Sequence, residues 1–386
     1  MSYKRLFSRA LAGAGERLHM AAHSHHLWPD ATREAQLQAW EDGASLADRK
    51  WDKVMGEVWP EAQDHVAEEL GLLSPSSVVF ASNTHDLLVR LVSAWPRRPV
   101  RVLSTDGEFH AFRRQAARWL ESGQIALETV PVEAEDFADR LLARAASGDF
   151  DLIFVSHVFF QTGRVFERLA ELAAMARPEG PWVAIDGYHG FMATPTELGG
   201  AGDTAFYLAG GYKYAMAGEG AAFMHAPAGF APRPVITGWF AEFGALTGAP
   251  SAVQYPEDAS RFMGSTFDPS GLYRLNAVFR MLEAEDLNTA AISAHVRTLQ
   301  TALLARVADG GAGRLDSATL MNPPGEAARA RFLAFRHPQA ALWASVLEEA
   351  GVRVDVRGHV LRVGLGLYHD EADVERFCAA CRERLA

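Results

Sequence analysis

Between residues 73 and 225 short apolar runs alternate with amphipathic stretches, and this rhythm restricts the fold more than any other feature of the 386-residue chain. The runs predicted as strands are Val78–Ala81, Val100–Ser104, Leu127–Pro131, Leu152–Ser156, Trp182–Asp186, Thr204–Ala209 and Ala221–Met224. Helix-like stretches such as Asp86–Trp95 and Phe137–Ala146 separate the first five. Strand and helix alternating at this spacing specify an α/β fold with a mostly parallel seven-stranded sheet covered on both faces. After about residue 270 the alternation gives way to long helices at Leu272–Ala284 and Ala290–Asp309. A strand at Phe332–Arg336, a helix at Gln339–Ala350, two more apolar runs and a closing helix complete a smaller α+β unit.

A chain of this length is expected to form two packed domains. The division read from the pattern is an N-terminal segment at 1–45 near the active site and the small domain, a large domain at 46–270 and a small C-terminal domain at 271–386. From Pro29 to Leu70 the pattern is helical with a break around Arg49-Lys50-Trp51, and Trp40, Trp51 and Trp59 are expected to pack in the core. The basic stretch from Met1 to Met20 lacks the apolar core of a secretory signal and is read as an N-terminal helix of a cytoplasmic protein.

Ligands of parallel sheets bind at the carboxyl ends of the strands. That rule selects Ser82-Asn83-Thr84, Glu108-Phe109-His110, Ser156-His157, Asp186-Gly187-Tyr188-His189 and Lys213. Lys213 stands between two tyrosines in the glycine-rich stretch Gly210–Gly220, on the turn that leaves a buried strand. A partly buried amine loses hydration and its pKa falls, as required to form a Schiff base with an aldehyde. Asp186, at the end of a neighbouring strand, needs a cationic partner, which a protonated pyridine nitrogen would supply. Asn83 and Thr84 open a helix whose free N–H groups favour a phosphate, and Phe109 could stack on a ring.

The formal net charge of -11, without a lysine and arginine cluster, argues against nucleic acid as a partner. No apolar run reaches the roughly 18 residues of a membrane span. GxGxxG and GxxxxGK[ST] nucleotide motifs are missing. His19, His23, His25 and His26 invite a zinc reading, but without HExxH or an acid in the cluster they are read as an irregular loop near the active site, with no metal. Cys378 and Cys381 fall in the closing helix and are expected to be reduced and inert.

The order Asn83-Thr84, Phe109, Ser156-His157, Asp186-x-x-His189, Tyr212-Lys213-Tyr214, Gly238-Trp239-Phe240, Arg261-Phe262 and Leu361-Arg362-Val363 resembles the fold-type I pyridoxal phosphate enzymes of the class V aminotransferase group, and within it the kynureninases. The likeness runs from His19 to the C-terminus. It implies the pyridoxal phosphate-dependent transferase fold, with Lys213 as the Schiff-base lysine, Asp186 as the pyridinium partner and His189 and Tyr212 against the cofactor or its phosphate. It also implies that Asn83 and Thr84 hold the phosphate, that Phe109 stacks on the ring, and that Trp239 and Thr266 complete the phosphate site from the other subunit of a homodimer. Arg362, with His25 nearby, would receive the substrate, an amino acid held by its α-carboxylate.

Two departures concern the substrate. Phe109-His110-Ala111-Phe112 stands where the kynureninases have Phe-Pro-Ser/Thr-Asp, so a cofactor-site aspartate is missing, and His23-Ser24-His25-His26 replaces their Asn-Ser-Leu-Gly-like loop. The activity expected from the resemblance is hydrolytic cleavage of an amino-acid side chain, in which Lys213 takes the α-proton and water attacks the side-chain carbonyl. The alternatives are a class V aminotransferase or β-lyase acting on another amino acid, and a cofactor-binding regulatory protein without turnover.

Overall fold

The computed structural model describes residues 2–242, 253–323 and 330–385. The strands up to residue 225 are β1 (Leu18–His19), β2 (Val78–Ala81), β3 (Val100–Thr105), β4 (Ile125–Val130), β5 (Leu152–Ser156), β6 (Trp182–Asp186), β7 (Ala205–Gly210) and β8 (Ala222–His225). Seven of them form one sheet in the order β2-β8-β7-β6-β5-β3-β4. Only β8 runs against its neighbours, so the mostly parallel seven-stranded α/β sheet expected from the sequence is present.

Every residue of the central strands β5 and β7 is buried, as helices on both faces require. The edge strand β4 leaves Ala126, Glu128 and Thr129 exposed, and the carboxylate of Glu128 pairs with Arg144; a charged residue on an edge discourages further strand pairing. The helix Thr84–Ser93 covers the sheet with Leu87, Leu88, Leu91 and Val92. It starts where the Asn83 side chain accepts a hydrogen bond from the Asp86 N–H at 2.9 Å, an N-cap that satisfies one orphan donor.

The helical region expected at 29–70 is divided into helices at Ala31–Leu46, Lys50–Lys53 and Trp59–Leu70, with the interruption at Ala47–Arg49 and a π-helical turn at Val54–Val58. Trp59 is buried and Trp51 packs edge-on against Phe240 and Phe267. Trp40 is the exception: it is 70% exposed. Helix Ala31–Leu46 turns Thr32 and Asp42 inward, and the Asp42 carboxylate accepts the Tyr273 hydroxyl of the neighbouring helix Ser270–Ala284 at 2.8 Å. Trp40 is on the outer side. Helix periodicity alone does not say which face is covered.

The small domain adds β9 (Thr319–Leu320), β10 (Phe332–Arg336), β11 (Val352–Arg353), β12 (Asp355–Arg357) and β13 (Val360–Gly364). Four of these form an antiparallel sheet in the order β12-β13-β10-β9, backed by helices Thr289–Ala308, Ala340–Glu349 and Glu371–Arg384. They enclose a separate core containing Leu299, Leu333, Trp343, Leu361 and Phe377. The N-terminal segment enters this domain: β1 pairs with β11 in parallel, and Leu18 and Met20 are part of the core. Residues 4–14 are helical. No helix among the described residues is long and apolar enough to cross a membrane.

Candidate active site

Ser156, Asp186 and Leu208 lie in register across β5, β6 and β7 at the carboxyl ends of these strands. Beyond them opens a cavity of about 260 Å³ whose walls include Asn83, Thr84, Phe109, Ser156, Asp186, Tyr188, His189, Tyr212 and Lys213. Seven of the sequence-predicted residues therefore share one cavity. They come together because they end or follow four strands, β2, β3, β6 and β7, that run in the same direction and so end on the same side.

The amine of Lys213 is 3.2 Å from His189 Nε2 and lies 4.9–5.3 Å from the ring centres of Tyr188, Tyr212 and Phe109. Burial is the largest influence on it and lowers its pKa to about 7, while the charge of Asp186 pulls in the opposite direction. Asp186 is raised by the same loss of solvent, countered by the Tyr188 N–H that its Oδ1 accepts at 3.0 Å and by Lys213. The imidazole of His189 is fully buried and held well below its usual pKa, first by burial and then by the charge of Lys213. Its Nε2 shares a hydrogen bond with the lysine amine, and its Nδ1 has no partner among the described residues.

Backbone geometry helps to place these groups. Gly187 follows Asp186 directly, and a Cβ there would fall 2.0 Å from Cζ of Tyr207. Only glycine lets the chain leave β6 against that ring. Phe109 meets Phe160 edge-on at 5.2 Å.

The other predicted residues are placed differently. His25 is exposed, stacks on Tyr212 at 5.1 Å and is 3.8 Å from the Glu219 carboxylate, at the mouth of the cavity. Arg362 is buried outside the cavity lining. Its guanidinium pairs with Asp355, donates to the carbonyl of Phe160 and lies over the Phe160 ring, which is itself part of the cavity wall. Trp239 packs on Phe240 and is 42% exposed, and Thr266 is exposed; neither lines the cavity.

The histidine cluster is dispersed. His19 Nδ1 bonds the Tyr368 hydroxyl at 2.6 Å, His23 stacks on Phe332 at 4.7 Å, and His26 Nδ1 donates to the Leu27 carbonyl at 2.8 Å. Among the described residues no group of three His, Cys, Asp or Glu side chains is arranged to hold a metal. Phe112 stacks face to face on Phe154 at 4.1 Å and forms part of the cavity wall.

Glu108 was selected by strand position but given no role from sequence. It is fully buried and accepts Thr105 Oγ1 at 2.6 Å, Ser156 Oγ at 2.5 Å and the Ser156 N–H at 3.2 Å. Burial raises its pKa to about 8 against the pull of those donors, and the nearby charge of Asp186 adds to the rise. The available signal was an acid at the end of an apolar strand, immediately before Phe109.

Comparison with known proteins agrees with this arrangement. The aminotransferase class-V family model matches residues 29–377. The chain is 28% identical over 370 residues to isopenicillin N epimerase of Streptomyces clavuligerus, covering 87% of this chain and 88% of that one. Among solved structures, it superimposes on the cystine C–S lyase C-DES in complex with its product cysteine persulfide with a TM-score of 0.80 at 17% identity, covering 97% and 99% of the two chains. A C-DES mutant with glycine covalently linked to its PLP-cofactor gives a TM-score of 0.80 at 16% identity and covers 100% of both chains. The cysteine desulfurase of Thermococcus onnurineus NA1 gives 0.75 at 19% identity, covering 95% and 94%. The sequence match spans nearly the whole chain and the fold agrees with it: this protein belongs to the aminotransferase class-V family.

Proposed function

We propose that the chain is a pyridoxal 5'-phosphate-dependent enzyme acting at the α-carbon of an amino acid. The observation that carries this reading is Lys213 Nζ, buried in the cavity and bonded to neutral His189 instead of to an acid. The residues fit the cofactor. Asp186 is half-buried, and the single hydrogen bond of its carboxylate among the described residues comes from the Tyr188 N–H. His189 Nδ1 is a buried polar atom without a partner, a state that costs roughly 1–3 kcal/mol unless a ligand satisfies it.

In this reading Lys213 is the attachment point, Asp186 faces the ring nitrogen, Asn83 and Thr84 receive the phosphate, Phe109 covers the ring, and His189 and Tyr212 hold its polar edge. When bound, the cofactor supplies an electron sink for the pair left on the α-carbon. Lys213, released on substrate binding, takes the α-proton in a site that its aromatic neighbours shield from water. Trp239 and Thr266, exposed and outside the cavity of their own chain, would reach the phosphate of a second subunit in a homodimer.

Hydrolytic side-chain cleavage, as in the kynureninases, is the finer activity we assign. A second reading is removal and return of the α-proton. It is favoured by Phe112, which occupies the position of the kynureninase aspartate and stacks on Phe154, and by the epimerase relative. Desulfuration is disfavoured. Both cysteines are buried in the small-domain core, and burial pushes the Cys378 thiol up to about 11.

The test is to load purified protein with pyridoxal 5'-phosphate and to follow absorbance and α-hydrogen exchange in heavy water with a panel of amino acids. Wild-type protein should bind the cofactor covalently and exchange the α-hydrogen of at least one amino acid, and Lys213→Ala should do neither. Loss of a side-chain fragment together with exchange supports hydrolysis, and inversion without loss supports the second reading. Covalent cofactor retained at full level by Lys213→Ala defeats the assignment.

A further inference from the structure

The cavity continues into a larger groove that the proposed chemistry does not use. The groove runs along the outer face of helix His110–Glu121, has a volume of about 1020 Å³, and shares His85 and Ala111 with the cavity. Arg113 and Arg114 line it and are exposed, and among the described residues neither guanidinium has an acidic partner. One turn further along, Arg118 is paired with Glu121 at 3.5 Å. Of the other acids nearby, Glu219 is at the cavity mouth beside His25 at 3.8 Å, and the Asp86 carboxylate faces His85 at 4.0 Å and the Asn83 amide at 3.3 Å.

Arg113 and Arg114 thus present two adjacent guanidiniums without an acidic partner among the described residues, in a chain with 48 acids against 37 basic residues. Three arginines, Arg113, Arg114 and Arg118, line the groove against one acid, Glu121, and a recess with an excess of one sign of charge concentrates ligands of the opposite sign. His110, which also lines the groove, has its pKa lowered first by partial burial and then by Arg357, Arg113 and Arg362. The cavity wall nearest the groove contains Phe112, Phe154, Val158 and Phe160. It offers no group to recognise the polar end of a long side chain, so recognition of such an end falls to the groove. Arginine forks match a carboxylate in two parallel hydrogen bonds.

We infer that this groove is a substrate subsite in which Arg113 and Arg114 receive a carboxylate carried at the far end of the amino acid whose α-carbon reacts above Lys213. The substrate class is then an extended amino acid with a second, distal carboxylate. This rests on the functional reading above.

The test uses the cofactor-loaded enzyme and a series of L-α-amino dicarboxylates from aspartate to 2-aminopimelate, with L-norleucine as the neutral control, read by the change in cofactor absorbance. Wild-type protein should bind the longer dicarboxylates more tightly than norleucine. An Arg113→Gln/Arg114→Gln double variant should weaken dicarboxylate binding by roughly five- to tenfold and leave norleucine and cofactor affinity unchanged. Both positions are exposed, so folding is not at issue, and a melting curve verifies it. Equal affinity for norleucine and the dicarboxylates in the wild type overturns the subsite. So does a double variant that loses cofactor instead, because the guanidiniums would then serve the cofactor phosphate. Absence of any spectral response to any amino acid overturns the functional reading and the subsite with it, whereas the other two outcomes leave that reading intact.

Discussion

Arg362 and Asp355 are directly opposed across the antiparallel pair β12–β13, and their side chains form an ion pair. The alternative to a carboxylate clamp for Arg362, a structural pair with Asp355, is therefore present in the protein. The second carboxylate oxygen of Asp355 accepts from Arg357 at 2.9 Å, so Asp355 keeps a cation when Arg362 is altered. If Arg362 also clamps the α-carboxylate, Arg362→Lys loses the fork and amino-acid binding should weaken by about tenfold, which is 1.4 kcal/mol. The melting temperature should fall by only a few degrees. Titration of the loaded enzyme and a thermal melt check both. A large drop in melting temperature with unchanged amino-acid binding assigns Arg362 to the structural pair alone.

The pKa of Lys213 sets a pH dependence. The neutral amine attacks an aldehyde, and its fraction rises through about pH 7 instead of near the ordinary lysine value of 10.5. The rate of covalent cofactor attachment to the empty protein should therefore increase through neutral pH and level off above it. Asp186→Asn removes the charge that opposes the shift, so the midpoint should move to lower pH. Stopped-flow absorbance across a pH series measures this; a midpoint near that of a free lysine contradicts it.

Glu108 makes the opposite kind of contribution. Its folded pKa is raised to about 8 from the ordinary glutamate value of 4.5, so in that interval the unfolded chain has lost a proton that the folded chain keeps. Stability is then fully present below about 4.5 and declines as pH rises toward 8. Glu108→Gln should flatten this decline in urea unfolding of the empty protein. Some slope should remain, since Asp186 is raised for the same reason. An unchanged slope in the variant would show that Glu108 titrates normally.

Phe112→Asp restores the kynureninase residue at that position but not its surroundings. Phe112 is 5% exposed and stacked on Phe154. The change removes an aromatic contact and introduces a carboxylate without a partner, at a cost of about 3–5 kcal/mol. Chemical denaturation should record that loss, without tighter retention of cofactor. Tighter retention at unchanged stability would mean that the wall accommodates the acid.

The sequence by itself determined the sheet and the set of strand-end residues. Two constraints account for this: buried parallel strands must be apolar throughout, and parallel strands must all end on the same side. Asn83, Phe109, Asp186 and Lys213 could be assigned to one cavity without knowledge of a single contact. Only the tertiary structure decided which side chains already have partners. Trp40 faces outward because Asp42 of its helix faces Tyr273. His19 and His26 meet on Tyr368 while His23 stacks on Phe332, so the three imidazoles are not turned toward a common ligand position. Arg362 sits behind Phe160 because the β12–β13 register sets Asp355 opposite it. Pairings of this kind depend on strand register and on which helix face is covered, and both are settled by contacts between segments far apart in sequence. The local pattern of any one segment does not contain them.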